Sequence, residues 1–92
     1  MSTFMFILRK LMPILNLYHS ELCFFCHRVR GAMKHMPKLK VGMRDIANPE
    51  HRNALLKGGG KSQVPCLLIE DGAKRQWMYE SDDIVRYLKK LN

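Results

Sequence analysis

The sequence predicts an α/β domain in which three helices flank a four-stranded mixed sheet. Apolar runs or alternation mark four strands, and apolar residues spaced by three and four mark three helices. In chain order the predicted elements are strand 14–18, helix 24–35, strand 39–43, helix 49–57, strand 64–70, strand 76–79 and helix 81–91. The order is therefore β-α-β-α-β-β-α. The first helix connects two strands, which are expected to run parallel in a right-handed unit.

The chain has 92 residues, which is the length of one domain, and 47% hydrophobic residues, which is ordinary for a globular protein. We assign residues 13–92 to this domain and residues 1–12 to an N-terminal extension. The net charge is +8, which attracts anionic partners. We nevertheless expect no nucleic-acid binding, because the basic residues are scattered and do not alternate with aromatic stacking residues.

The N-terminal extension contains an apolar run, Phe4–Leu8, which is far shorter than the ~20 residues of a transmembrane helix. We favour a short docking helix or a frayed end over an interfacial anchor that contacts a membrane, because one short apolar segment binds membranes only weakly. Three cysteines, an odd number, are more typical of a cytosolic redox or metal protein than of a secreted disulfide framework. We therefore expect a cytoplasmic monomer.

The first half of the chain has clear element boundaries. Residues 14–18 are mostly apolar, as in a strand covered on both faces. In the helix that follows, Gly31 lowers helix stability by ~1 kcal/mol relative to alanine. Pro37 ends this helix. The strand 39–43 alternates apolar and polar residues, which predicts one polar face.

The second half begins with Asn48-Pro49, which is typical of a helix start, with asparagine as the cap and proline in the first turn. Glycines 58–60 end this helix. They do not form a phosphate-binding loop, because they follow a helix and lack the required spacing. Asp71-Gly72 predicts a hairpin turn, and we expect Ser81 to cap the last helix.

Cys23 and Cys26 are the candidate catalytic residues. They form a Cys-x-x-Cys motif between the first strand and the first helix. The N-terminus of a helix presents unpaired N–H groups and a partial positive charge. This field favours a thiolate at Cys23, and a thiolate is the form that attacks disulfides.

Three motifs in this order resemble the glutaredoxins and the related N-terminal domain of glutathione S-transferases, over residues 14–91. The motifs are Cys23-Phe24-Phe25-Cys26, Gln63-Val64-Pro65 and Tyr79-Glu80-Ser81-Asp82. The resemblance implies a thioredoxin-like fold and a glutathione-dependent thiol–disulfide oxidoreductase. Its expected partners are glutathione, as co-substrate, and disulfide-bonded or glutathionylated proteins.

The resemblance also implies the roles of individual residues. Pro65 would have a cis peptide bond, which places the Val64 backbone beside Cys23 to pair with the backbone of glutathione. The glutathione-binding residues it implies are Phe25, Gln63, Val64, Pro65, Glu80, Ser81 and Asp82. The last three would hold the γ-glutamyl end, since a hydroxyl and N–H groups at a helix N-terminus suit a carboxylate.

The chain departs from the glutaredoxin pattern at three places, one of which is the absence of the glycine pair that often precedes the last helix. Phe24-Phe25 replaces a Pro-Tyr or Pro-Phe pair, and Ser20 stands where a basic residue usually precedes the first cysteine. We expect Lys61, Arg28 or His27 to supply that positive charge. The departures affect the expected redox potential and rate more than the fold.

Two alternatives remain within this resemblance: a carrier of a [2Fe–2S] cluster shared between subunits, and a non-catalytic glutathione-binding module. No metal-binding residues are assigned. Cys23 to His27 also matches the C-x-x-C-H haem attachment pattern, but the predicted strands do not fit a small all-α cytochrome. Cys66 should lie near the site, and we expect it to act as a small buried hydrophobe.

Overall fold

The computed structural model describes residues 12–92. We number its elements in chain order: β1 (Ile14–His19), α1 (Phe24–Met33), β2 (Val41–Asp45), α2 (Pro49–Gly59), β3 (Cys66–Asp71), β4 (Lys74–Met78) and α3 (Ser81–Leu91). The predicted order of elements is confirmed. Residues 1–11 lie outside the described residues, and with them the predictions for the N-terminal extension. In the part that is described, no helix has the length and apolar character needed to cross a membrane.

The four strands form one mixed sheet in the order β2-β1-β3-β4. β1 and β2 are parallel, whereas β3 is antiparallel to both β1 and β4. The two central strands are therefore β1 and β3, which carry most of the buried residues. Their antiparallel pairing brings the start of β3 beside the end of β1, with Tyr18 opposite Cys66.

Helices cover both faces of the sheet. On one face, α1 and α3 enclose a core whose buried members are Leu15, Leu17, Val29, Met36, Leu67, Ile69, Ile84 and Leu88. On the other face, α2 covers a smaller cluster made of Tyr18, Leu55, Cys66 and Leu68. Successive residues of β1 and β3 alternate between these two cores, as expected for a period of two. The resulting three layers are those of the predicted thioredoxin-like fold.

Several predicted boundaries are wrong by two residues. α1 ends at Met33 and not at residue 35, because residues 34–36 continue through tighter bonds between residues three apart. β2 begins at Val41 and not at residue 39, because its ladder with β1 starts where Val41 pairs with Leu15. Strand assignment depends on the partner strand, which a single segment of sequence does not show.

The remaining boundaries shift for similar reasons. The β3 ladder begins at Cys66, just after Val64-Pro65, since proline has no N–H to donate. β4 begins at Lys74, which pairs with Asp71 across the tight turn. α2 continues to Gly59 and is capped by Gly60, whose φ of 88° is the left-handed conformation that glycine adopts easily. The predicted Asn48 cap is confirmed: its side chain accepts a bond from the Glu50 N–H at 2.9 Å.

Candidate active site

Cys23 lies at the N-terminus of α1, as the sequence predicts. It is the N-cap residue, with extended backbone angles (φ −89°, ψ 121°). Its own N–H donates to the Ser20 carbonyl at 3.2 Å, which closes the short loop after β1. Its Sγ accepts a bond from the Cys26 N–H at 3.3 Å. An N–H in the first turn of a helix stabilises a sulfur atom that carries negative charge. The partly exposed Cys23 is therefore placed to act as a nucleophile.

Cys26 occupies a different environment, one turn further into α1. It is fully buried, with 0% exposure. Burial, and next the interaction with Cys23, raise the pKa of Cys26 to about 12. Cys26 is thus a protonated thiol at neutral pH, while Cys23 is the accessible member of the pair. Among the described residues the cysteines are all free thiols.

The Val64-Pro65 segment lies against Cys23. The peptide bond between these two residues is cis, as the resemblance implies. The Val64 carbonyl oxygen is 3.8 Å from Cys23 Sγ. Pro65 is buried, and β3 starts directly after it. The antiparallel pairing of β1 with β3 accounts for the proximity, because it brings residues 41 positions apart in sequence to the same end of the sheet.

A small groove of about 130 Å³ collects residues from three separate segments. It is lined by Phe25, Gln63, Val64, Pro65, Tyr79, Glu80 and Ser81. Six of the residues assigned to glutathione binding are in this set, and Tyr79 is the additional one. Asp82 does not line the groove: it is exposed and forms an ion pair with Arg28 at 2.8 Å. Binding of glutathione by these residues stays a prediction.

The N-terminus of α3 borders this groove. Here the prediction that Ser81 caps the helix is wrong: Glu80 is the N-cap residue, and Ser81 is the first residue of the helix. Within residues 12–92, no side chain accepts a capping bond at this helix end. The N–H groups of the first turn therefore have no side-chain partner, and such groups bind anions well.

Arg30 and His19 form a buried polar cluster that the sequence analysis missed. Arg30 Nη1 is 3.0 Å from His19 Nδ1 and donates to the Ser20 carbonyl at 3.3 Å. From the helical spacing, the sequence predicts that Arg30 lies with Arg28 and Lys34 on a solvated basic face of this helix. The Arg30 side chain is instead only 19% exposed. Burial, and next the Arg30 guanidinium, lower the pKa of His19. The spacing of four between Cys26 and Arg30 was the one available signal.

Cys66 is completely buried in the smaller core, where it directly follows Pro65. Burial raises its pKa to about 11, although the neighbouring Tyr79 side chain and next the Lys61 charge offset part of this rise. The Tyr79 hydroxyl donates its hydrogen to the Lys61 carbonyl at 3.1 Å, and Lys61 Nζ lies 4.8 Å from the centre of the Tyr79 ring. The expected burial of Cys66 is confirmed. His27 is exposed on α1.

Solved structures with a similar fold come from the C-terminal domain of DsbD from Neisseria meningitidis. The reduced form of that domain is 13% identical, with a TM-score of 0.55 and coverage of 97% of this chain and 96% of that one. The oxidised form is 16% identical, with a TM-score of 0.53 and coverage of 97% and 88%. At these identities the likeness concerns the fold. No curated protein matched the chain.

A family model described as "Glutathione S-transferase, N-terminal domain" matches residues 22–91. The match covers the Cys-x-x-Cys motif, the Val64-Pro65 segment and the start of α3, which are the three parts of the groove region. It extends over most of the described chain, through the end of α3. The chain therefore belongs to the family of glutathione S-transferase N-terminal domains.

Proposed function

We propose that this protein is a glutathione-dependent thiol–disulfide oxidoreductase that reduces disulfides or glutathione mixed disulfides. One observation carries the proposal: the partly exposed Cys23 sulfur accepts an N–H bond at a helix N-terminus while it lies 3.8 Å from the Val64 carbonyl. A nucleophilic sulfur is thereby placed next to backbone groups that can pair with a peptide. The family match and the redox domains with the same fold support this assignment.

Glutathione fits the groove by its chemistry. Its peptide backbone would pair with the backbone of Val64, and its sulfur would then face Cys23. Its γ-glutamyl carboxylate would meet the N–H groups at the start of α3, which have no side-chain cap. The Glu80 carboxylate, which also lines the groove, suits the α-ammonium group of the same end. Asp82 would act there only after its ion pair with Arg28 opens.

The reaction begins at Cys23. Its thiolate attacks the glutathione sulfur of a protein–glutathione mixed disulfide, so that a Cys23–glutathione disulfide forms and the old S–S bond breaks. The protein substrate leaves as a thiolate and takes a proton from water. A second glutathione thiolate then attacks the glutathione sulfur of the adduct, which releases oxidised glutathione and restores the Cys23 thiolate. Two electrons pass from glutathione to the substrate.

Cys26 offers a second route from the same adduct. After its thiol loses a proton, the Cys26 sulfur attacks Cys23, and glutathione leaves as a thiolate. The product is an internal Cys23–Cys26 disulfide, which glutathione or another thiol must reduce. The short distance between the residues along α1 favours this step, whereas the high pKa of Cys26, about 12, slows it.

The proposal is tested by reduction of hydroxyethyl disulfide with glutathione, followed by reduction of a glutathionylated protein. We expect Cys23→Ser to abolish both activities. We expect Cys26→Ser to retain deglutathionylation, because that route needs only Cys23 and glutathione. Cys66→Ala is the matched control, since it removes a buried thiol outside the groove. Unchanged deglutathionylation by Cys23→Ser would contradict the proposal.

The same experiment separates the alternatives that the sequence leaves open. A non-catalytic module would bind glutathione in calorimetry but would turn over neither substrate. A cluster carrier would bind iron and sulfide in anaerobic reconstitution with glutathione, with loss of the cluster in Cys23→Ser. Turnover by the wild type together with a colourless, iron-free product after reconstitution would favour the oxidoreductase.

A further inference from the structure

Arg30 is a largely buried cation behind the cysteine pair. It lies one helical turn after Cys26 on α1, so the two side chains share a face of the helix. Its guanidinium reaches back to the loop before Cys23, where it donates to the Ser20 carbonyl at 3.3 Å. The same carbonyl accepts the Cys23 N–H at 3.2 Å. Arg30 therefore contacts the segment that carries both cysteines.

The positive charge of this cluster resides on Arg30. An arginine can only donate, so His19 Nδ1 must accept at 3.0 Å, and a histidine that accepts at Nδ1 is neutral. Glu21 is the nearby acid, but its carboxylate is 3.5 Å from Arg30 and 68% exposed. Because the Glu21 carboxylate is well solvated, it neutralises little of the Arg30 charge.

Cys26 lies one helical turn before Arg30 on the same face of α1, and the Arg30 guanidinium is held at the Ser20 carbonyl in the loop that leads to the cysteine pair. Burial and the interaction with Cys23 raise the pKa of Cys26, whereas the Ser20 backbone and Arg30 lower it. The titratable groups that act on Cys26 are thus Cys23, which is the N-cap residue of α1, and Arg30 on α1 itself, while His19 and Glu21 contact Arg30. Cys26 is fully buried, with 0% exposure, so water contributes little to stabilising its thiolate. A fixed cation nearby therefore stabilises this thiolate more than it would in water.

We propose that Arg30 is a positioning residue that stabilises the Cys26 thiolate during the resolving step. In that step the Cys26 thiol gives its proton to solvent, and its sulfur forms a bond with Cys23. The bond between Cys23 and the bound thiol breaks, and that thiol leaves as a thiolate. The inference extends the proposed function to the second cysteine, and its test does not require glutathione.

The test uses Ellman's reagent, 5,5′-dithiobis(2-nitrobenzoate), in stopped-flow absorbance at 412 nm. Attack by Cys23 releases one thionitrobenzoate, and attack by Cys26 on the resulting mixed disulfide releases a second. The Cys26→Ser variant cannot make the second attack, so loss of the second phase in this variant identifies that phase with Cys26. The rates of both phases are measured from pH 6 to 10 for the wild type, Arg30→Gln, Arg30→Met and Arg30→Lys.

We expect Arg30→Gln to slow the second phase about tenfold at pH 8, which is the change in thiolate fraction that corresponds to one pKa unit. The pH profile of that phase should move to higher pH, while the first phase stays within about twofold. Arg30→Lys should recover most of the rate. Glutamine keeps a donor for His19 and Ser20, so this variant isolates the charge even if Arg30→Met fails to fold.

Arg52→Met, which removes an exposed arginine of α2, is the control and should leave both phases unchanged. An unchanged second phase in Arg30→Gln would overturn the proposal. Equal slowing of both phases would also overturn it, because Arg30 would then only support the loop before Cys23. A normal two-phase reaction without glutathione turnover would instead refute the proposed function and leave the role of Arg30 standing.

Discussion

The different environments of the three cysteines predict selective alkylation of Cys23. The perturbation is iodoacetamide added to the fully reduced protein at pH 8. With pKa values of about 12 for Cys26 and about 11 for Cys66, their thiolate fractions at this pH are on the order of 10⁻⁴ and 10⁻³. Both sulfurs are also fully buried, at 0% exposure, which slows reaction further. Cys23 is partly exposed and should react first.

The assay is intact-protein and peptide mass spectrometry over a time course. We expect one adduct, at Cys23, at least about a hundredfold faster than any other, since only the thiolate reacts and its fraction at the buried sites is so small. Two further adducts should appear after denaturation in urea, which removes the effect of burial. Cys23→Ser is the control and should stay unmodified while folded. Labelling of Cys26 at a rate comparable to that of Cys23 would refute the reasoning.

Three further predictions concern stability, measured by urea unfolding. Gly31→Ala should raise the free energy of unfolding by about 0.5–1 kcal/mol, because an added Cβ meets no atom within 4 Å. Gly58→Ala should lower it, because the added Cβ would overlap the Trp77 ring. The opposite ranking of the two variants would contradict this packing. Asn48→Ala should lower the free energy of unfolding by about 1 kcal/mol, because it removes the cap of α2. An unchanged free energy of unfolding would show that this cap does not contribute to stability. Burial and Arg30 lower the pKa of His19 below 6.5, so the unfolded state binds its proton first and the free energy of unfolding should fall below about pH 6.5. His19→Gln should reduce that slope, and an identical slope would contradict this account.

Local sequence patterns predicted the fold well because each has a local cause. Asn48-Pro49 begins a helix wherever it stands, since the cap and the proline geometry act within one turn. The Cys23 position at a helix start follows from similarly short-range signals. The boundaries of β2 and β3 were less accurate, since a strand begins where a partner strand pairs with it.

The candidate site was only partly predictable. The resemblance named the groove residues, and the structure brings six of the seven together. The roles of Ser81 and Arg30 were assigned wrongly, as a helix cap and as a solvated basic residue. The two errors have different origins. The Ser81 error is a one-residue shift of the helix start, whereas the burial of Arg30 depends on its packing against His19 and Ser20, which no local pattern shows.

The sequence by itself determined the order of elements, the Cys-x-x-Cys motif at the start of α1 and the proline before β3. These features depend on contacts within a few residues or on a motif that can be read directly. Only the tertiary structure decided that Cys26 is buried while Cys23 is accessible, and that Arg30 turns inward to His19 and Ser20. Burial and charge pairing are properties of the packed layers, because they depend on which side chains the sheet and the helices bring together.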